Sequence, residues 1–267
     1  MIGIDLPATQ AALDEASARL VETASTLDDT SIGEPCALPG WNRAMLVTHL
    51  ARNAQGFAGM FRGAQRGEVV HLYPHGRPGR NADIDAGRDR SAAEVLADLV
   101  AAVDEYASVS AELTEAEWER AGTTFDGDKP VWTTLPVRRR EVEVHHVDLA
   151  LGYHAGDWPS DFVAVELALA VEGLPPRLPA GTALQLVTTD GLGQWTVTAA
   201  QPGGAGAAGD TRGGAGAAGD AHPTAAPAPG QAGDRGLARV EGPGHEVLAW
   251  LLGRTSAVRG GPELGPW

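Results

Sequence analysis

The sequence predicts an α plus α+β protein, with an N-terminal four-helix bundle over residues 1–155 and a small α+β domain over 156–267. Two observations carry this. Before residue 155, apolar side chains recur at spacings of three and four, the period of one helical face, in four separate segments. After it, the pattern shifts to short alternating runs bounded by glycine and aspartate, as in strands joined by tight turns. A chain of 267 residues is long enough for two modest cores of this kind.

Taken in order, Leu6, Leu13, Leu20 and Leu27 recur every seven residues beside Val21 and several alanines, which predicts a first amphipathic helix of about 20 residues. A second helix follows the Leu38-Pro39-Gly40-Trp41 breaker, starting near Asn42 and running to about Gly63. Its stripe is Leu46, His49, Leu50, Asn53, Phe57 and Met60, so His49 and Asn53 point where a core belongs. Residues 64–90, rich in Gly, Arg and Pro, read as a long connection, where contacts to a substrate are expected. Ser91 with Glu94 is a capping box ahead of a third helix over about 92–112. Pro136 sits in the first turn of a fourth, which ends near Gly152.

Beyond Asp157-Trp158-Pro159, a helix is expected at about 161–172. A hairpin of 183–189 with 194–199 around Asp190-Gly191-Leu192-Gly193, a strand at 237–240 and a helix at 244–252 follow. Residues 201–235 interrupt this domain. The octapeptide Gly-Gly-Ala-Gly-Ala-Ala-Gly-Asp stands at 203–210 and again at 213–220, followed by Ala/Pro-rich sequence, which reads as a flexible surface insertion.

The net charge of −15 excludes a nucleic-acid groove or an anionic membrane surface as partner. A small anionic substrate would need a local basic pocket. The single cysteine, Cys36, rules out an internal disulfide and a Cys-rich metal site. No basic-then-apolar leader opens the chain and no run approaches the ~18 apolar residues of a membrane span, so a soluble cytoplasmic protein is expected, with a monomer compatible with the sequence.

His49 and the Glu141–His145 pair carry the chemistry. Glu141 and His145, four apart, lie one above the other on a helix, and with His49 they offer three ligands that leave a fourth metal position open. Asp148, one turn further, is placed to orient the His145 ring through its second nitrogen. His146 points about 100° around the helix. Spacing alone equally describes a hydrogen-bonded core histidine and a solvated Glu/His pair. Arg138, Arg139 and Arg140 near a helix start oppose the helix dipole, and read either as substrate steering or as a solvated basic turn.

Two motifs carry a family resemblance. Leu38-Pro39-Gly40-Trp41-Asn42-Arg43 leads to Val47-Thr48-His49-Leu50-Ala51-Arg52-Asn53-Ala54. The second is Arg140-Glu141-Val142-Glu143-Val144-His145-His146-Val147-Asp148-Leu149. Together they resemble the ligand motifs of the mycothiol-dependent maleylpyruvate isomerases, a branch of the DinB-like metal-dependent thiol enzymes, over almost the full length. Arg80-Asn81-Ala82-Asp83-Ile84 and Leu252-Gly253-Arg254, ahead of a tail ending in Trp267, are similar to two further segments of that branch. The insertion is a departure.

The resemblance implies zinc held by His49, Glu141 and His145, with His146 a neighbour, and mycothiol as thiol cosubstrate. It implies substrate contacts from Arg80, Asn81 and Arg254, the last also active in catalysis, and a small dicarboxylate as substrate. The implied reaction converts maleylpyruvate to fumarylpyruvate by thiolate addition, rotation and elimination, as in gentisate-type aromatic degradation, with Cys36 not the nucleophile. The alternatives are a mycothiol S-transferase acting on an electrophile, in which no carboxylate clamp is needed, and a non-catalytic zinc-stabilised binding protein.

Overall fold

The computed structural model describes residues 3–200, 237–255, 258 and 260–265; the 201–235 insertion and Trp267 lie outside the described residues. The chain divides into two compact units, one reaching Tyr153 and one beginning at His154.

The first unit is built on four long helices, α1 (Leu6–Ala24), α2 (Arg43–Arg66), α4 (Ala92–Ala111) and α6 (Thr134–Asp148), with short helices α3 (Gly76–Asp85) and α5 (Glu115–Trp118) between them. Their starts follow from capping chemistry. Asp5 accepts from the Ala8 amide at 3.0 Å ahead of α1, Asn42 accepts from Met45 at 3.0 Å ahead of α2, and Ser91 and Glu94 form a reciprocal box at α4. α1 ends at Ala24, one turn short of Leu27, which packs against the core from the following loop. α2 is the central element, lying along α4 and against α6, while α1 packs on α6. Leu13, Leu20, Leu50, Phe57, Leu99 and Val142 fill the space between them.

The 64–90 connection differs from the expectation, because it contains α3. Its Gly-Arg-Pro-Gly-Arg composition masks the helix, whose only buried residue is Ile84. A hairpin of β1 (Ala121–Thr124) and β2 (Gly127–Pro130) follows α5. The segment before α3 lies directly on α2: a β-carbon at Gly56 would sit 2.5 Å from the Leu72 carbonyl oxygen, so only glycine permits this approach. Leu72 N donates to Thr123 O at 2.9 Å and Thr123 N to Val70 O at 3.0 Å, tying the same segment to the hairpin. Tyr73 is thereby fixed beside the helices.

The second unit has a three-stranded sheet in the order β4-β3-β5 (β3 Ala183–Thr188, β4 Gln194–Thr198, β5 Ala238–Gly242) and helices α7 (Ser160–Glu172) and α8 (Gly244–Leu251). β3 and β4 form the antiparallel hairpin expected, and β5 joins the other edge of β3 in parallel. Leu184 and Leu186 alternate inward from β3, the period of a half-buried strand. The Asp190 carboxylate accepts from the Gly244 amide at 2.8 Å, which fixes the start of α8 against the hairpin turn. No helix among the described residues is long and apolar enough to cross a membrane.

Candidate metal centre

α2 contributes His49 and α6 contributes Glu141 and His145, all three at 2–3% exposure. Glu141 Oε2 lies 2.9 Å from His49 Nε2 and 3.5 Å from His145 Nε2, and the two rings meet edge to face at 5.1 Å. One ligand atom from each residue lies within 4.8 Å of the others, close to twice a ~2.1 Å metal–ligand bond, so the three form a candidate metal site. His145 Nδ1 stands 2.8 Å from Asp148 Oδ2, which places a ring proton on Nδ1, directed at that carboxylate, and turns Nε2 toward Glu141. The 141–145 step puts both groups on one face of α6, and the 145–148 step adds the carboxylate behind the ring.

A family model described as the mycothiol maleylpyruvate isomerase N-terminal domain matches residues 13–150, the stretch that carries all three side chains. The chain belongs to this family. Two solved structures resemble it in fold: crystal structures of a mycothiol-dependent maleylpyruvate isomerase and of a histidine-to-alanine mutant of that enzyme. Each is 21% identical, covers 99% of this chain and 98% of its own, and gives a TM-score of 0.78. No curated protein matches in sequence.

In this family member the electrostatics of the three groups are set by burial and by one another. Burial pushes His49 down to about 4, against the pull of the Glu141 carboxylate, so the ring is neutral at pH 7. Burial opposes the charge on Glu141 too, but hydrogen bonds from His145 and His49 outweigh it and hold the carboxyl well below its usual range. For His145, burial favours the neutral ring, and the bonds to Asp148 and Glu141 override it and raise the pKa. The result is an ionised carboxylate between two histidine rings, a donor set suited to a divalent metal.

Arg80, on α3, is brought to the site: its Nη2 lies 3.3 Å from His49 Nδ1. Arginine has no acceptor, so Nδ1 accepts and the ring proton sits on Nε2, pointing at Glu141. Asn81 is exposed and accepts from Arg80 Nη1 at 3.0 Å; it reaches the centre only through that arginine. Arg254 belongs to the second unit, where it follows α8 and its Nη1 donates to Leu252 O at 2.7 Å. His146 faces α1, its Nε2 2.7 Å from Thr23 Oγ1 and its ring stacked on Tyr153 at 3.9 Å. Cys36 is half-buried and packs against the core, and burial raises its thiol pKa, the opposite of an activated nucleophile.

Arg138 corrects the solvated-turn reading. It is 1% exposed, and its Nη1 donates to Leu50 O at 3.0 Å and to Asn53 Oδ1 at 2.9 Å. Lying three residues before Glu141 and seven before His145, it occupies their face of α6, and that spacing was the signal available in the sequence. Two neighbours escaped the sequence reading. Trp41 packs edge-on to His49 at 6.0 Å. Tyr73 receives the Asn53 amide at 3.4 Å and stacks on Phe125 of the hairpin.

Proposed function

We propose that the protein is a zinc- and mycothiol-dependent maleylpyruvate isomerase acting in the cytoplasm on a small dicarboxylate. The observation that supports this best is the buried His49, Glu141 and His145 triad in a member of this family. In this reading His49 Nε2, Glu141 Oε2 and His145 Nε2 would hold the zinc, and the metal would supply the positive charge that favours the thiolate form of a thiol which, at a free pKa of about 8.5, is mostly protonated at neutral pH.

The chain's own residues supply the rest. Asp148 holds a His145 proton on Nδ1, so Nε2 is the nitrogen that would face the metal once its shared proton with Glu141 is displaced. His49 must surrender its Nε2 proton to act as a ligand. With the ring proton then on Nδ1, that nitrogen can no longer accept from Arg80, and the guanidinium is released toward an anionic ligand. Its planar fork matches a carboxylate. Asn81 positions that guanidinium, and Arg254 is proposed as a second contact to the dianion. Thiolate addition breaks the cis double bond of maleylpyruvate, the resulting single bond rotates, and elimination returns the thiol with the trans product.

The test is maleylpyruvate consumption by purified zinc-loaded protein with and without mycothiol, with the product identified. Mycothiol-dependent fumarylpyruvate supports the reading, and Glu141→Gln should abolish both metal content and turnover. Mycothiol binding without isomerisation would refute it in favour of S-transfer to an electrophile.

A further inference from the structure

Behind the triad lies a chain of hydrogen bonds whose polarity is determined from end to end. Arg138 is a donor only, so its 2.9 Å contact with Asn53 fixes the amide: Oδ1 toward the guanidinium, Nδ2 toward Tyr73. That Nδ2 donates to the Tyr73 hydroxyl oxygen at 3.4 Å, and Arg80, the side chain that reaches His49, lies beside the same ring, its guanidinium carbon 5.8 Å from the ring centroid. The Tyr73 oxygen therefore accepts from Asn53. Among the described residues nothing accepts its proton.

The location gives that proton a use. Arg80 bridges Tyr73 and His49, and Tyr73 lies within electrostatic reach of Glu141. Burial, then the Glu141 charge, push the phenol up from its ordinary value, so it keeps its proton at neutral pH as a hydrogen-bond donor must. Segment 70–73 is clamped between α2 at Gly56 and the hairpin at Thr123, and the ring is stacked on Phe125. The donor is held before any ligand arrives, the condition under which such groups stabilise developing charge.

We infer that Tyr73 is a catalytic residue that donates its hydroxyl hydrogen bond to the carbonyl oxygen of the substrate as that oxygen becomes an enolate, with Asn53 and Arg138 as positioning residues. This rests on the isomerase reading. When the thiolate sulfur forms its bond to the alkene carbon, the π pair moves through the conjugation onto the carbonyl oxygen. After rotation the pair returns, the carbon–sulfur bond breaks and the thiolate leaves. No proton is consumed. The Tyr73 bond strengthens as the oxygen gains charge and weakens as it is lost, so it lowers the barrier on both steps.

The experiment uses full-length, zinc-loaded wild type, Tyr73→Phe, Asn53→Asp and the double variant, with metal content, kcat and KM measured for each. Tyr73→Phe should retain metal and fold and lose about 100-fold in kcat. Its KM should stay within about threefold, because the bond forms in the transition state. Asn53→Asp keeps an acceptor for Arg138 but offers a carboxylate to Tyr73, turning the phenol proton away from the substrate, so kcat should fall comparably. The double variant should fall no further than the worse single one. An active wild type with an unchanged kcat for Tyr73→Phe overturns the inference alone. A wild type without thiol-dependent turnover overturns the isomerase reading and this inference with it.

Discussion

Gly56→Ala isolates the packing that sets the Tyr73 segment on α2. The new methyl would lie 2.5 Å from Leu72 O and 2.8 Å from Leu72 Cδ1. Restoring an ordinary 3.4 Å contact requires the Leu72 backbone to retreat by 3.4 − 2.5 = 0.9 Å, against two hydrogen bonds that tie residues 70–72 to Thr123. Replacing a helical glycine by alanine gains about 0.5–1 kcal/mol. Overpacking of this kind costs about 1–3 kcal/mol, so the variant should be less stable by up to about 2.5 kcal/mol. Gly59, one turn further along α2, has nothing within 4 Å of its would-be β-carbon and serves as the control. There the same substitution gains the helix term unopposed, about 0.5–1 kcal/mol. Urea unfolding of the two variants beside the wild type reads the difference, and the shift of Tyr73 should lower kcat in Gly56→Ala only. Equal stabilisation by both substitutions would refute the reasoning, since it would mean that residues 70–73 do not lie on the helix.

Three further outcomes are expected. Asp148→Asn removes the carboxylate from His145 Nδ1 and should weaken metal affinity by about 10–100-fold in chelator competition; unchanged affinity would detach Asp148 from the centre. All three tyrosines, Tyr73, Tyr106 and Tyr153, are pushed up by burial, so the folded protein holds protons that the unfolded chain releases above pH ~10. The tyrosine contribution to stability should therefore be lost as pH rises past that value, with phenolate absorbance appearing together with unfolding; a tyrosine titrating near pH 10 in the folded state would contradict this. Arg254→Ala should keep its metal and lose isomerisation, and wild-type kinetics would remove Arg254 from the proposed site.

The sequence by itself determined what is local. Periodicity and caps located the four long helices, because the Asp5, Asn42 and Ser91 side chains satisfy amides only three residues away. The same periodicity directed His49 inward and stacked Glu141 under His145. The alternation around Asp190-Gly191 identified the hairpin, since strand period and turn chemistry are also short-range. Tertiary structure decided what depends on the facing surface. Arg138 and His146 stand on one basic-looking helix, yet one is buried against Leu50 and Asn53 and the other against Thr23, because α2 and α1 lie on different sides of α6. Tyr73 sits in a segment without a periodic signal, and α3 is hidden by Gly, Arg and Pro. Tyr73 is positioned by a close approach at Gly56 and a pairing at Thr123, more than fifty residues apart in the chain, contacts that no local pattern encodes.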